Sequence, residues 1–220
     1  MSSTALGIVL GLLVGLRHSV EPDHLTAVST LVGETRGAGP GALLGALWGL
    51  GHTLALVAVG AILIAIGATL PVRAGAAFEL AVAAMLLVLG ARAIIVATRA
   101  AAAGEPGPAA AATHALRPSD RRARAWRPLV IGLVHGLAGS GALTAIVFAE
   151  LPGTAARLIY MALFGLGSIA GMTLVSGAAG ATLRIVARSS GARRGLGVAT
   201  GALSIAIGVL WSIPLWSRLG

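Results

Sequence analysis

Arg17-His18-Ser19-Val20-Glu21-Pro22-Asp23-His24 puts five ionisable side chains into eight residues, and apolar chain flanks it from Ala5 to Leu16 and from Leu25 to Val32. Ionisable groups in a membrane-spanning segment are costly, an Asp near a helix centre by about 2.5–3.5 kcal/mol on insertion scales. They are retained where they face a bundle interior or an aqueous path, so the octapeptide is a functional-site candidate if the chain lies in a membrane.

Composition places it there. The 220 residues are 57% hydrophobic and 10% charged, whereas soluble domains carry about 25% charged residues. Several continuous apolar runs exceed the roughly 18–20 residues needed to cross the hydrocarbon layer, and a barrel would instead show short alternating segments. The fold class expected is all-α: a polytopic membrane protein with spans near 4–32, 41–70, 74–98, 127–150, 155–183 and 195–216. Residues 1–100 form a first three-helix unit carrying the His/Asp motif. Residues 101–126 form a flexible Ala/Pro/Arg-rich loop, and 127–220 a second three-helix unit. Met1-Ser2-Ser3 lacks the basic start of a cleaved signal peptide, so the first apolar run is expected to be retained.

All sixteen Lys+Arg residues are Arg, and there is no Cys. The absence of Lys excludes a Walker-A lysine, and the absence of Cys excludes thiolate ligands and thiol relays. The net charge of +9 resides in loops rather than in a nucleic-acid-binding face. Loops after the first, third and fifth spans hold Arg36, then Arg99, Arg117, Arg121, Arg122, Arg124 and Arg127, then Arg184, Arg188, Arg193 and Arg194; the opposite side holds Arg73, Arg157 and Arg218. The positive-inside rule puts the richer loops in the cytoplasm and both termini outside.

An internal repeat is legible. Ala46-Leu47-Trp48-Gly49-Leu50-Gly51-His52 aligns with Ala162-Leu163-Phe164-Gly165-Leu166-Gly167-Ser168, and Val14-Gly15-Leu16-Arg17-His18 with Ile131-Gly132-Leu133-Val134-His135. Leu25-Thr26-Ala27-Val28 matches Leu143-Thr144-Ala145-Ile146, and Leu89-Gly90 matches Ile207-Gly208, at offsets drifting from 116 to 118. Each unit has three spans, so the second must enter the membrane from the other side. Inverted repeats of this kind place a substrate site near mid-membrane at their interface.

On a straight helix Asp23 would lie roughly 140° from His18 and His24 roughly 120° from it, so the three would not converge. Pro22 changes this, because its ring clashes with the His18 carbonyl and it donates no backbone hydrogen bond. A break between His18 and Pro22 would free carbonyls and swing both imidazoles and the carboxylate to one side, as broken helices do where they line a site. Imidazole with carboxylate suits borderline divalent ions better than Mg2+ or Ca2+. Against this stands a self-satisfied polar cluster, for example Arg17 with Glu21 at i,i+4. His52 falls near the middle of the second span, where Gly49 and Gly51 leave room for it to face the first. His135, in His135-Gly136-Leu137-Ala138-Gly139-Ser140-Gly141, is the counterpart of the first cluster without its Asp and second His; His135, Ser140 and Glu21 are pathway candidates, with structural capping an equal alternative for His135 and Ser140. His114 lies in the loop. Glu79 and Glu150 fall near span ends, where snorkelling accounts for them. Trp126, Trp211 and Trp216 read as interfacial, with Trp48 inside the second span.

His18-Ser19-Val20-Glu21-Pro22-Asp23-His24 resembles the His-x4-Asp-His signature of the nickel/cobalt transporter (NiCoT) superfamily. Gly15-Leu16-Arg17-His18 and His24-Leu25-Thr26-Ala27-Val28 look most like its short branch, the UreH-like urease accessory membrane proteins. Leu50-Gly51-His52-Thr53 is similar to the family's second histidine motif, and His135-Gly136-Leu137-Ala138-Gly139-Ser140 to its glycine-rich one. The likeness spans most of the chain outside the 100–126 loop. It implies transition-metal transport, chiefly of Ni2+, with His18, Asp23, His24 and His52 as metal positions. The longer permeases of the family carry Asp-Ala where this chain has Glu21-Pro22, and they begin with an additional helix. Efflux members often carry a His-rich loop; with only His114 in the loop, uptake is favoured.

With the resemblance added to the residues, the expectation is a secondary transporter of Ni2+ or Co2+ in a bacterial inner membrane, with the ion as cargo and no catalytic cofactor. Neutral imidazole is the ligand form, so acid should weaken binding. The alternative is a non-transporting nickel-binding accessory protein for urease or hydrogenase maturation. An intramembrane hydrolase is disfavoured, since no His follows Ser140 to serve as its base and no His-Glu-x-x-His occurs. Expected partners are the metal ion, lipid, and either a second copy of the chain or maturation proteins, with no nucleic acid.

Overall fold

The computed structural model describes residues 3–33, 37–102, 126–139, 151, 153–186 and 189–219. The described residues are all-α, in seven helices: α1 (Ser3–His18), α2 (Pro22–Val32), α3 (Ala38–Ile66), α4 (Val72–Ala102), α5 (126–139), α6 (Thr154–Val186) and α7 (Ser190–Leu219). Four of them, α3, α4, α6 and α7, are long and apolar enough to cross a membrane, which marks the chain as a multi-pass membrane protein.

The first expected span is two helices. Glu21 is extended (φ −64°, ψ 151°) and Pro22 opens α2, a position where its missing N–H costs nothing and its fixed φ suits the first turn. The His18 carbonyl, which Pro22 would have obstructed in a continuous helix, accepts instead from the Glu21 N–H at 3.1 Å, and the Arg17 carbonyl accepts from Val20 N–H at 3.0 Å. The Ser19 hydroxyl donates to the Leu16 carbonyl at 2.7 Å and Leu25 N–H to the Glu21 carbonyl at 2.9 Å. The backbone groups released by the break are thus mostly re-satisfied locally.

Other boundaries move by a few residues for local reasons. Gly67, in the left-handed region at φ 64°, closes α3 as the Ala68 N–H donates to the Leu63 carbonyl at 3.0 Å. The helix α7 starts earlier than the apolar pattern indicates because the Ser189 hydroxyl accepts from the Ala192 N–H at 3.1 Å. The expected loop falls almost entirely on 103–125, and with it His114, outside the described residues; so do Ser140 and Glu150.

Large apolar side chains face outward as well as inward, as a lipid environment allows. Leu43, Leu54, Ile62, Val88, Leu174 and Leu210 are exposed, while Gly, Ser and His occupy the contacts between helices. Hydrocarbon is as apolar as leucine, so helices associate in it through close packing of small residues and through hydrogen bonds. The helix α3 packs along α6, α4 along α7, and α1 along α6. A Cβ on Gly15 would overlap the Phe164 carbonyl, one on Gly167 the Leu12 carbonyl, one on Gly132 the Trp48 carbonyl and one on Gly51 the Leu129 carbonyl. These backbones touch only because the glycines are there.

The short α2 reaches α3, α4, α6 and α7. Its Ala27, Val28 and Val32 join Leu44 and Trp48 of α3, Val82 and Leu86 of α4, and Met172 of α6 in the larger core. A second core joins Leu56 of α3 to Tyr160, Met161 and Phe164 of α6. Between α4 and α7 the fully buried Ser204 hydroxyl donates to the Leu86 carbonyl at 2.7 Å. Ser204→Ala should lower stability by about 1 kcal/mol, read as an earlier thermal unfolding midpoint in detergent.

Candidate metal centre

The break at 19–21 decides the geometry of the site. His18 is the last residue of α1, while Asp23 and His24 lie in the first turn of α2. Reversing out of helical geometry between them brings the His18 and His24 rings to a centroid separation of 4.4 Å. His52 stands at the midpoint of the 29-residue α3 and points into the same space, 5.2 Å from His18 and 5.3 Å from His24. Gly49 and Gly51 do not face the first span. Gly51 admits α5 at Leu129 and Leu133, and Gly49 admits α6 at Ile169.

His135 enters from α5, where Gly132 and Gly136 let the helix lie on the backbone of Trp48 and His52. Its Nε2 is 2.6 Å from Asp23 Oδ2, and its ring is 4.1 Å from His24. The sequence leaves His135 between lining a pathway and a structural capping role; the structure makes it the hydrogen-bond partner of the Asp23 carboxylate. Its equivalence to His18 in the repeat was the signal available in the sequence. Glu21 pairs with His18, Oε2 to Nδ1 at 2.9 Å, rather than with Arg17. It is half exposed and stands at the rim.

Two aromatic walls were not anticipated as part of the site. Trp48, completely buried, lies 5.3 Å from His24 and 5.6 Å from His135. Phe164 lies 5.3 Å from His18. Trp48 belongs to the larger core and Phe164 to the smaller, so the imidazoles are held where the two cores meet. The remaining Trp126, Trp211 and Trp216 are exposed, the disposition an interfacial belt requires. Glu79 lies 3.8 Å from Arg218, both in part exposed.

The donor atoms form two groups, His18/His24/His52 and Asp23/His24/His135, each with its ligand atoms within 4.8 Å of one another. Buried polar atoms ordinarily find partners, and each one left without costs about 1–3 kcal/mol. Here the partnerless atoms are concentrated: both nitrogens of His24, both of His52, His18 Nε2, His135 Nδ1 and Asp23 Oδ1 lack a hydrogen bond among the described residues. His24 Nδ1 is 3.1 Å from Asp23 Oδ2 without the alignment of a hydrogen bond. A neutral imidazole carries one lone pair, so each histidine offers one nitrogen and Asp23 an oxygen, a set suited to a cation; four imidazoles with one carboxylate match the preference of Ni2+, Co2+ or Zn2+. The Asp23 carboxylate fixes the His135 ring and supplies negative charge, the double role that supporting carboxylates have in metal sites.

No family model and no solved structure matches the chain. Over 204 residues, covering 92% of this chain and 88% of its relative, the chain is 28% identical to, and so a homologue of, the urease accessory protein UreH of Bacillus sp. (strain TB-90).

Proposed function

We propose that the chain is a secondary transporter that moves Ni2+, or Co2+ in its place, across a bacterial inner membrane through the site formed by His18, Asp23, His24 and His52. The observation that carries this reading is the group of buried imidazole nitrogens that make no hydrogen bond among the described residues, at a break in a membrane helix. Breaks of this kind recur where transporters bind cargo at mid-membrane. The motif resemblance to nickel/cobalt transporters and the likeness to a urease accessory protein support nickel as the cargo. In this reading the ion sheds most of its water and exchanges it for imidazole nitrogens. Glu21 receives it at the rim, and Trp48 and Phe164 keep solvent from the far side.

The two halves form an inverted repeat of three spans each, with α1–α2 and α5 as equivalent first elements. Supporting this, packing contacts recur at the repeat offset. Gly51 meets Leu129 and Leu133 as Gly167 meets Leu12 and Leu16; Gly132 meets Trp48 as Gly15 meets Phe164; Gly90 meets Gly201 as Gly208 meets Ala83. Rocking of one half against the other would then expose the site alternately on the two sides, with both termini outside and the 103–125 loop in the cytoplasm. The absence of a Walker lysine accords with an electrochemical driving force.

A second reading is favoured by the relative's name: a nickel-binding membrane protein that serves urease maturation without transporting. Purified protein in liposomes separates the two. Time-dependent accumulation of Ni2+ inside protein-containing vesicles, above that in empty ones, is expected for the transporter. Binding without accumulation would overturn transport and leave the accessory role.

A further inference from the structure

Resting on the reading that the chain carries a divalent metal, we infer that its site is two overlapping stations for a single ion, hinged on His24. One station is His18, His24 and His52; the other is Asp23, His24 and His135. The five side chains do not close into one group, because among the described residues donor atoms come within 4.8 Å of one another only in these two sets of three. Zinc–nitrogen bonds of about 2.0–2.1 Å illustrate the reach available, since donors on one ion must lie within roughly twice that of each other. His24 belongs to both sets, with its ring 4.4 Å from His18 and 4.1 Å from His135, whereas His52 and His135 are 6.1 Å apart.

Sharing has a consequence for occupancy. A neutral imidazole has one lone pair, because its other nitrogen carries hydrogen. His24 therefore holds one ion at a time, and filling one station empties the other. Neither of its buried nitrogens makes an aligned hydrogen bond among the described residues, and its Nδ1 stands 3.1 Å from Asp23 Oδ2, on the side of the second station.

The stations differ in access and in charge. The side chain of His18 is 15% exposed and its partner Glu21 51%, while Asp23 and His135 are 6% and 2% exposed. The first station is thus the accessible one, and it presents imidazoles alone. The second is enclosed and contains the Asp23 carboxylate, whose charge offsets that of the cation where water cannot. The internal repeat relates them. His18 corresponds to His135 and Phe164 to Trp48, and each of these histidines lies on the corresponding aromatic ring, at 5.3 Å for His18 on Phe164 and 5.6 Å for His135 on Trp48. An exchange of conformation between the halves would open the second station as it closed the first. The ion would pass by trading His18 and His52 for Asp23 and His135 while His24 remains bound.

Ni2+ alone, added to purified full-length protein in detergent, tests this through stoichiometry and X-ray absorption. The wild-type chain should saturate at one ion. His135→Gln should still bind one ion, now in an imidazole-only environment, and His52→Gln one ion with a carboxylate ligand. Both variants should lose vesicle accumulation while retaining the elution profile of the folded protein, and binding should weaken by at least about 10- to 100-fold, the loss that removal even of a group supporting a ligand produces. Two ions per wild-type chain, or the same absorption spectrum from both variants, would overturn the two-station arrangement even if the wild type transports. A wild-type chain that binds no Ni2+ would instead overturn the transport reading on which the inference rests.

Discussion

His24→Ala is expected to abolish both Ni2+ binding and Ni2+ accumulation in vesicles, a larger effect than substitution at any other residue of the site. His24 is the one side chain within reach of all the others, its ring lying 4.4, 5.3 and 4.1 Å from those of His18, His52 and His135, with Asp23 Oδ2 at 3.1 Å from its Nδ1. Its removal leaves each group with two donors, so the loss should exceed the ~10–100-fold that changes in supporting groups produce. The side chain makes no hydrogen bond among the described residues that its removal would orphan, so the helices should still assemble. Equilibrium binding of Ni2+ to the purified variant, set beside its thermal unfolding midpoint, separates loss of the ligand from loss of the fold. Undiminished accumulation by His24→Ala vesicles would contradict a route through this site.

Gly132→Val should have the largest effect on stability. Its Cβ would overlap the carbonyl oxygen of Trp48, which is backbone and cannot rotate away. Overpacking costs about 1–3 kcal/mol where side chains can adjust, and here a whole helix must shift. Displacing α5 also withdraws His135 from Asp23, so metal binding should weaken with stability. Gly15→Val, whose Cβ would meet the Phe164 carbonyl at the equivalent place, should be comparably destabilised. Gly195→Ala provides the control. Nothing lies within 4 Å of its Cβ, so in a helix interior it should be neutral or stabilising by about 0.5–1 kcal/mol. Thermal unfolding of the three variants in one detergent tests the ranking, and a Gly132→Val protein as stable as wild type would refute this packing.

The membrane class, four long spans and the interruption of the first helix were legible because each depends on local chemistry. Continuous apolar runs follow from composition, and the break follows from a proline ring that cannot share space with the carbonyl four residues earlier. His18, Asp23, His24 and His52 stood out in the sequence as candidates because ionisable residues are costly in hydrocarbon. The place of His52 at the middle of α3 followed from helix length alone.

The roles of His135, Trp48 and Phe164 were not legible in that way. His135 and Asp23 are 112 residues apart, and nothing in either segment specifies the other. Their meeting depends on glycines at 51, 132 and 136, which let α3 and α5 approach at backbone distance, and glycines are too common in this chain for the sequence to single those out. Trp48 read as an apolar residue of a span, and only the convergence of α2, α3 and α5 turned its ring into a wall of the site. The sequence by itself determined which residues are too polar for the membrane and where the helix beside them must stop, since burial cost and ring sterics act within a segment. The tertiary structure alone decided that these residues form two groups sharing His24, because close approach of helices distant in the chain is a property of how their small residues interlock.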